Sequence, residues 1–382
     1  MTPRVKVKPE LLRWACQRSQ VDPKKLRKRF PKYGDWESGS LKPTLKQLED
    51  FARFTHVPIG SLFMSKPMEE EMPIQDLRTM GDRKILQPSD NLLDTIYMCM
   101  QRQDWYQTFA LAEGEEPLPF VGSATVESDV EAVAAEIQTT LGFGVEERKE
   151  LQNWSHALRY FTDQADDLGI LVMISGIVRG NTHRKLDPQE FRGFALADEL
   201  APLIFINGAD TKAAQIFTLA HELVHIWLGE SSLSNAAPNS FPAHVTEKWC
   251  NQVAAELLVP TRSLRENFRD GTNISDEVQR LASQYKVSTL VILRRLHDIG
   301  GIERNEFKVH YSYELDRLKP KRRGGGGGNF HTTLKTRVGR RFGEALVSST
   351  LSGQTFFTDA FYYLGIRKAS TLNAFAKSLW EG

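Results

Sequence analysis

Two histidines four residues apart, His221 and His225, with Glu222 beside the first, are the residues of this 382-residue chain best placed to do chemistry. On a helix, positions i and i+4 share a face, so both imidazoles can reach one metal ion. Glu222 then stands at the edge of that face, where it can take a proton from a water held at the ion. That is the chemistry of zinc-dependent amide hydrolysis. Such pairs also arise by chance on amphipathic helices, but the flanking residues argue against chance. Leu223 and Val224 are uncharged, and Ile226, Trp227 and Leu228 are apolar. Asp210 suits the start of a helix and Gly229 its end. A buried helix carries two histidines and a glutamate only with compensation, which a bound cation provides.

A catalytic zinc needs a third protein ligand and a free position for water. In the segment 245–260, Val253, Ala254, Leu257 and Leu258 recur at helical spacing, and Pro260 marks the end. Glu247 falls in the first turn and is the favoured third ligand. Cys250 and Glu256 are the alternatives. A lone helical cysteine is more often a small buried apolar residue, and Glu256 reads equally as a solvated or salt-bridged carboxylate. Asn251, one turn beyond Glu247, suits a group that holds a ligand in place from behind.

The paired motifs, His-Glu-Leu-Val-His at 221–225 and Glu-Lys-Trp-Cys-Asn-Gln-Val-Ala-Ala-Glu-Leu-Leu-Val-Pro at 247–260, resemble those of the ImmA/IrrE metallopeptidases. The resemblance covers roughly residues 150–310. It implies that His221, His225 and Glu247 bind the metal, that Glu222 is the catalytic base, and that Asn251 belongs to the second motif. Cys250 stands where many members carry alanine, which leaves the ligand set intact. The resemblance further implies a protein substrate that is itself a helix-turn-helix repressor or antitoxin, cut in stress response or phage defence. Zinc is the expected metal, with manganese as the alternative occupant of a His₂Glu site.

The elements that position these residues are also legible. Three apolar runs of strand length precede the motif: 169–175, 191–196 and 202–207. The fold expected is α+β, a zincin-like core with a small sheet packed on the motif helix, flanked by all-α modules. An extended substrate adds to a sheet edge through main-chain hydrogen bonds. Gly193, Phe194 and Ala195 would allow that close approach, although each run reads equally well as an interior strand. His244, Tyr311 and Tyr313 are candidates for stabilising the oxyanion.

With 41% hydrophobic and 25% charged residues and a net charge of +1, the chain has the composition of a soluble protein of several domains. No apolar run approaches the roughly 20 residues that span a bilayer. The first residues, Met1 to Lys6, lack the apolar core of a signal peptide. Cys16, Cys99 and Cys250 have no disulfide-framework spacing. The expected location is the cytoplasm.

Residues 1–67 are expected to form one module. Within residues 1–66, fifteen Lys/Arg face six Asp/Glu. Asp35-Trp36-Glu37-Ser38-Gly39, followed by Pro43-Thr44, resembles the end of the recognition helix and the start of the next in XRE-type helix-turn-helix proteins. Trp36 follows Leu26 by only ten positions, and Pro31 and Gly34 interrupt the segment. One turn of the recognition helix is missing against the family pattern, so fewer base edges are within reach. The basic surplus suits phosphate attraction, and a protein partner is the other occupant of such a module.

Residues 68–150 read as a helical connecting region and 151–318 as the peptidase domain. The latter includes a helix-turn-helix-like pair near 274–298. Ser288 caps its second helix, and Arg294 and Arg295 either touch phosphates or belong to a bundle that buttresses the zinc helices. A basic, glycine-rich linker at 319–328 leads to a C-terminal helical module, 329–382. From Arg317 to Arg341 there are nine Lys/Arg and no acids, the pattern of a solvated or nucleic-acid-facing patch. Five glycines beside a peptidase also invite self-cleavage. The rival to an enzyme is a DNA- or partner-binding regulator, the antitoxin of a toxin–antitoxin pair, using the peptidase fold as sensor or scaffold. The intact His-Glu-His-Glu set favours the enzyme, because a scaffold needs no general base.

Overall fold

The motif helix spans Lys212–Leu228. Thr211, rather than Asp210, caps it: the Thr211 hydroxyl accepts from the Ala214 N–H at 3.3 Å, one of the donors a helix start leaves unpaired. Asp210 instead accepts from the Thr211 N–H at 2.7 Å. Gly229 ends the helix in the left-handed conformation, as its position predicts. Every residue from Gln215 to Trp227 is buried. A helix buried all round belongs to the centre of a domain.

The computed structural model describes residues 3–19, 21–68, 72–77, 88–234, 244–318 and 330–380. The chain divides into two units, Met1–Pro73 with Lys84–Tyr97, and Ile74–Arg83 with Met98–Gly382. Among the described residues, no helix is long and apolar enough to cross a membrane.

In the first unit, short helices at Pro9–Arg18, Pro23–Arg29, Tyr33–Glu37 and Leu45–Phe54 enclose an aromatic core. Tyr33 stacks on Phe51 and Trp36 meets it edge-on. Thr44 and Gln47 form a reciprocal capping box at the start of the fourth helix. The helix ending at Glu37 is five residues long, as short as the Leu26–Trp36 spacing predicts.

The second unit is built on a sheet of five short strands: β1 (Gln75–Asp76), β2 (Leu171–Ser175), β3 (Gly193–Leu196), β4 (Leu203–Asn207) and β5 (Ser232–Ser234). The order is β1-β5-β3-β4-β2. β2 runs parallel to β4, β3 is antiparallel to both β4 and β5, and β1 lies parallel to β5. The three apolar runs are therefore strands, and of the two readings offered for Gly193–Ala195 the interior strand is the one found. β3 is paired on both sides and buried throughout. An unbroken apolar run fits that interior place, covered on both faces.

The motif helix packs on β3 and β4. The Val245–Leu258 helix lies beside it, and the Val130–Leu141 helix packs on that. Trp227 stacks on Phe120 with ring centroids 4.5 Å apart and donates to Glu136 at 3.1 Å. Buried Leu219, Leu223, Val224, Ile226 and Trp227 each contribute roughly 1.5–3 kcal/mol through the area removed from water. Arg148, itself buried, donates to the carbonyls of Leu258 at 2.6 Å and Tyr285 at 3.2 Å, bracing the end of the second site helix.

Helices Ile274–Tyr285 and Thr289–Asp298 form the pair expected near 274–298, and Ser288 caps the second. Arg295 is buried, pairs with Glu256 and donates to the Val259 carbonyl at 3.0 Å. Arg294 pairs with Asp298 at 3.0 Å. This pair thus ties down the end of the Glu247 helix, and Arg295 is not on offer to phosphates.

Four C-terminal helices, Phe330–Val338, Arg340–Leu351, Phe357–Leu364 and Ala369–Trp380, complete the unit, with the first along β2. Of the described arginines of the basic run, Arg317 is exposed and pairs with Glu314 at 2.6 Å, while those on the C-terminal helices are partly or fully buried. Arg340 pairs with Asp167, and Arg341 donates to Tyr106 at 2.7 Å and to Glu115 at 3.0 Å. Arg337 is buried. The basic run and glycines of the 319–328 linker lie outside the described residues, as does the self-cleavage site expected there.

Candidate metal centre

One turn of helix separates His221 from His225, and the Glu247 helix crosses beside them. The three side chains converge. His221 Nε2 and His225 Nε2 are 3.2 Å apart. Glu247 Oε1 lies 3.1 Å from His225 Nε2, and Oε2 lies 3.5 Å from His221 Nε2. Among the described residues, these three form the group of His, Cys and acidic side chains whose ligand atoms all fall within 4.8 Å of one another. Bonds of roughly 2.0–2.2 Å in a tetrahedral site put ligand atoms about 3.3–3.5 Å apart. The donor set and its spacing therefore fit a zinc ion bound by two imidazoles and one carboxylate.

The charges match that geometry. Burial alone would raise the Glu247 carboxyl, but the charge of His221 and hydrogen bonds from both imidazoles hold it at about 2. Burial pushes His221 down, yet Glu247, Glu222 and the nearby Asn251 side chain leave it above its ordinary value. His225 falls below its ordinary value, chiefly through burial. One anionic carboxylate thus faces two close imidazole nitrogens, the electrostatics of a cation site.

Glu222 is fully buried beside this group. Burial pushes its carboxyl up to about 8, against the pull of His221 and Ser234. Ser234, at the end of β5, donates to Oε1, while Oε2 has no hydrogen-bond partner. That free oxygen is the one available to a water or substrate proton. Gly193 makes the crowding tolerable. A Cβ there would stand 2.6 Å from Thr218 Cγ2, 2.9 Å from the Phe205 carbonyl oxygen and 3.0 Å from Glu222 Oε1.

The structure thus brings together His221, Glu222, His225, Glu247 and Asn251. Cys250 faces the opposite side of the His225 ring, its sulfur 3.9 Å from Nδ1, and burial pushes its thiol well above the usual range. Glu256 is occupied by Arg295 and by the Thr261 N–H and hydroxyl, the latter two at 2.7 Å. Among the described residues, no hydrogen bond links the oxyanion candidates to the site. His244 precedes the Glu247 helix, Tyr313 is exposed, and Tyr311 is buried with its hydroxyl unpartnered. Sequence reasoning missed Ser234. The three-residue strand that carries it is too short to show periodicity, and it is set by pairing with β3.

It also missed what covers the sheet edge. β5 carries the residue that contacts Glu222, and its outer edge is taken by β1, with Gln75 opposite Ser232 and Asp76 opposite Leu233. The Leu77 N–H donates to the Leu233 carbonyl at 3.0 Å, and Ile74 and Leu77 are buried. The other edge, β2, lies against the Phe330–Val338 helix.

The site is thus a buried His₂Glu group with a second carboxylate beside it, on two helices against a small sheet. Residues 165–297 match the family model of the IrrE N-terminal-like domain, Peptidase_M78, which supports the ImmA/IrrE family and points to a peptidase. All five converging residues fall within that match. Residues 338–378 match a domain of unknown function, DUF8813. No curated protein matches the chain.

Proposed function

We propose that the protein is a zinc endopeptidase that cuts a protein substrate, a helix-turn-helix repressor or antitoxin. The observation that carries this reading is the convergence of His221, His225 and Glu247 beside a buried, half-satisfied Glu222. His221, His225 and Glu247 would hold the metal. When bound, zinc supplies Lewis acidity, polarising the scissile carbonyl and lowering the pKa of water to about 7. Glu222 does the proton work: its free Oε2 accepts the proton of the attacking water and passes it to the leaving amine. Ser234 holds the other oxygen of Glu222, which keeps the carboxylate aimed. Asn251 steadies His221 from behind. The choice of substrate rests on the family resemblance of the two motifs.

The test pairs metal analysis with cleavage. Elemental analysis should find about one zinc per chain. Incubation with a repressor encoded beside the gene should give one cut, lost in Glu222→Gln. Zinc without any cleavage would instead favour a regulator that uses the fold as a sensor. The separate first unit, with its basic surplus, supports that second reading.

A further inference from the structure

The sheet edge beside Glu222 is closed by the chain itself. Ser234, whose hydroxyl donates to Glu222 Oε1, is the last residue of β5. β1 runs along the outer side of β5 in parallel, and the Leu77 N–H donates to the Leu233 carbonyl at 3.0 Å. In a parallel ladder that bond sets Leu77 level with Ser234. β1 therefore leads up to the residue that holds Glu222. Successive residues of a strand face opposite sides, so Ser232 shares a face with Ser234 and Glu222. Ser232 is fully buried, and among the described residues neither its hydroxyl nor Glu222 Oε2 has a hydrogen-bond partner. With β1 in place, two buried polar atoms on the site face are left unsatisfied, a costly arrangement that a different occupant would relieve.

The hold of β1 on this edge is slight. Its ladder is two residues long, Gln75 and Asp76 are exposed, and Ile74 and Leu77 supply the buried side chains. The opposite edge of the sheet is closed more firmly. There β2 lies against the nine-residue helix Phe330–Val338. Gly339, just after that helix, comes so close to β2 that a Cβ would stand 2.8 Å from the Val172 carbonyl oxygen. A peptide entering at β2 would have to lift a whole helix. One entering at β5 has to displace only residues 74–77.

On the endopeptidase reading above, we propose that β1 is an autoinhibitory strand: it occupies the edge of β5 at which an extended segment of the substrate adds, and the substrate must displace it to reach Glu222. An added strand is held by main-chain hydrogen bonds, and the Leu233 carbonyl that β1 uses is one of the groups such a strand needs. Being tethered, β1 competes at an effective concentration on the order of millimolar, so it slows a substrate rather than excluding it. Covering an edge also protects it from pairing with other chains. A cover serving that end alone would not change the rate of cleavage when loosened.

The test uses the full zinc-loaded chain carrying Ile74→Ser and Leu77→Ser together, which removes both apolar anchors and keeps the main-chain N–H at position 77. The probe is a synthetic peptide copying residues 72–77, added at about 1 mM. Amide exchange at Ser232–Ser234 should rise about tenfold in the double variant. The peptide should restore protection there and leave the wild type unchanged. Cleavage of the repressor encoded beside the gene should run about threefold faster in the double variant, and the peptide should slow it again. Leu77→Ala, a milder change, should move both readouts the same way and serves if the double variant does not fold. Protection that the peptide fails to restore, or measurable cleavage no faster than in the wild type, would overturn the autoinhibitory role. Restored protection, with zinc bound and cleavage absent in both chains, would sink the endopeptidase reading while upholding β1 as a displaceable occupant of that edge.

Discussion

Glu247 is the residue on which the site turns. Alone, two histidines at i and i+4 are a common pair; Glu247 from a second helix brings a third donor atom within 4.8 Å of both. His221→Ala or Glu247→Ala should therefore lose bound zinc, read by elemental analysis after dialysis against a buffered chelator. Glu222→Gln should keep the zinc and lose cleavage by roughly 10²–10⁴-fold, the range expected for removing a general base. Parallel loss of zinc in Glu222→Gln would reassign that residue to the ligand set. Asn251→Ala should cost about 10–100-fold in metal affinity, as a group that orients a ligand does. At this scale the converging residues were legible, because i,i+4 spacing and first-turn placement are local. Ser234 was not, because its contact with Glu222 crosses twelve residues and depends on β5 meeting β3.

Elements decide how the site is shielded. Gly193→Ala should place a methyl against Thr218, the Phe205 carbonyl and Glu222. The expected result is a loss of about 1–3 kcal/mol in stability, the usual cost of overpacking, together with a fall in activity while zinc is retained. A functional, equally stable variant would show that β3 and the motif helix can part. β1 invites a different test. If substrate adds to the β5 edge, β1 stands in its place. Leu77→Pro removes the N–H that bonds Leu233, so amide exchange at Ser232–Ser234 should rise and cleavage should speed up several-fold. Unchanged exchange would show that the edge stays covered by other contacts. Long elements such as the motif helix were legible from periodicity and caps. β1 and β5 were not, because strands of two and three residues owe their form to their partners.

Across the whole molecule, Asp166 reports the docking of the C-terminal helices. Its carboxyl is buried, 3.9 Å from Arg340 Nε, and burial pushes it up to about 7 despite that arginine. An acid raised on folding favours the fold only while protonated. Its contribution is full below the unfolded value near 4 and is lost as pH rises through about 7. Urea unfolding should therefore show stability falling between about pH 4 and 7 and levelling off above. Asp166→Asn should flatten that fall by up to about 4 kcal/mol, whereas parallel curves for the two proteins would place the effect elsewhere.

The sequence by itself determined the chemistry-bearing residues, the three apolar strands and the short third helix of the first unit. Each rests on spacing within one element, where a few residues set periodicity, caps and face. Only the tertiary structure decided that β3 is interior and that β1 covers β5. It also decided that Arg340 and Arg341 are paired with acids while Arg337 is buried with none among the described residues. Those outcomes depend on which distant segment supplies the missing hydrogen bond or counter-charge, and burial makes that choice by penalising whatever is left unpaired.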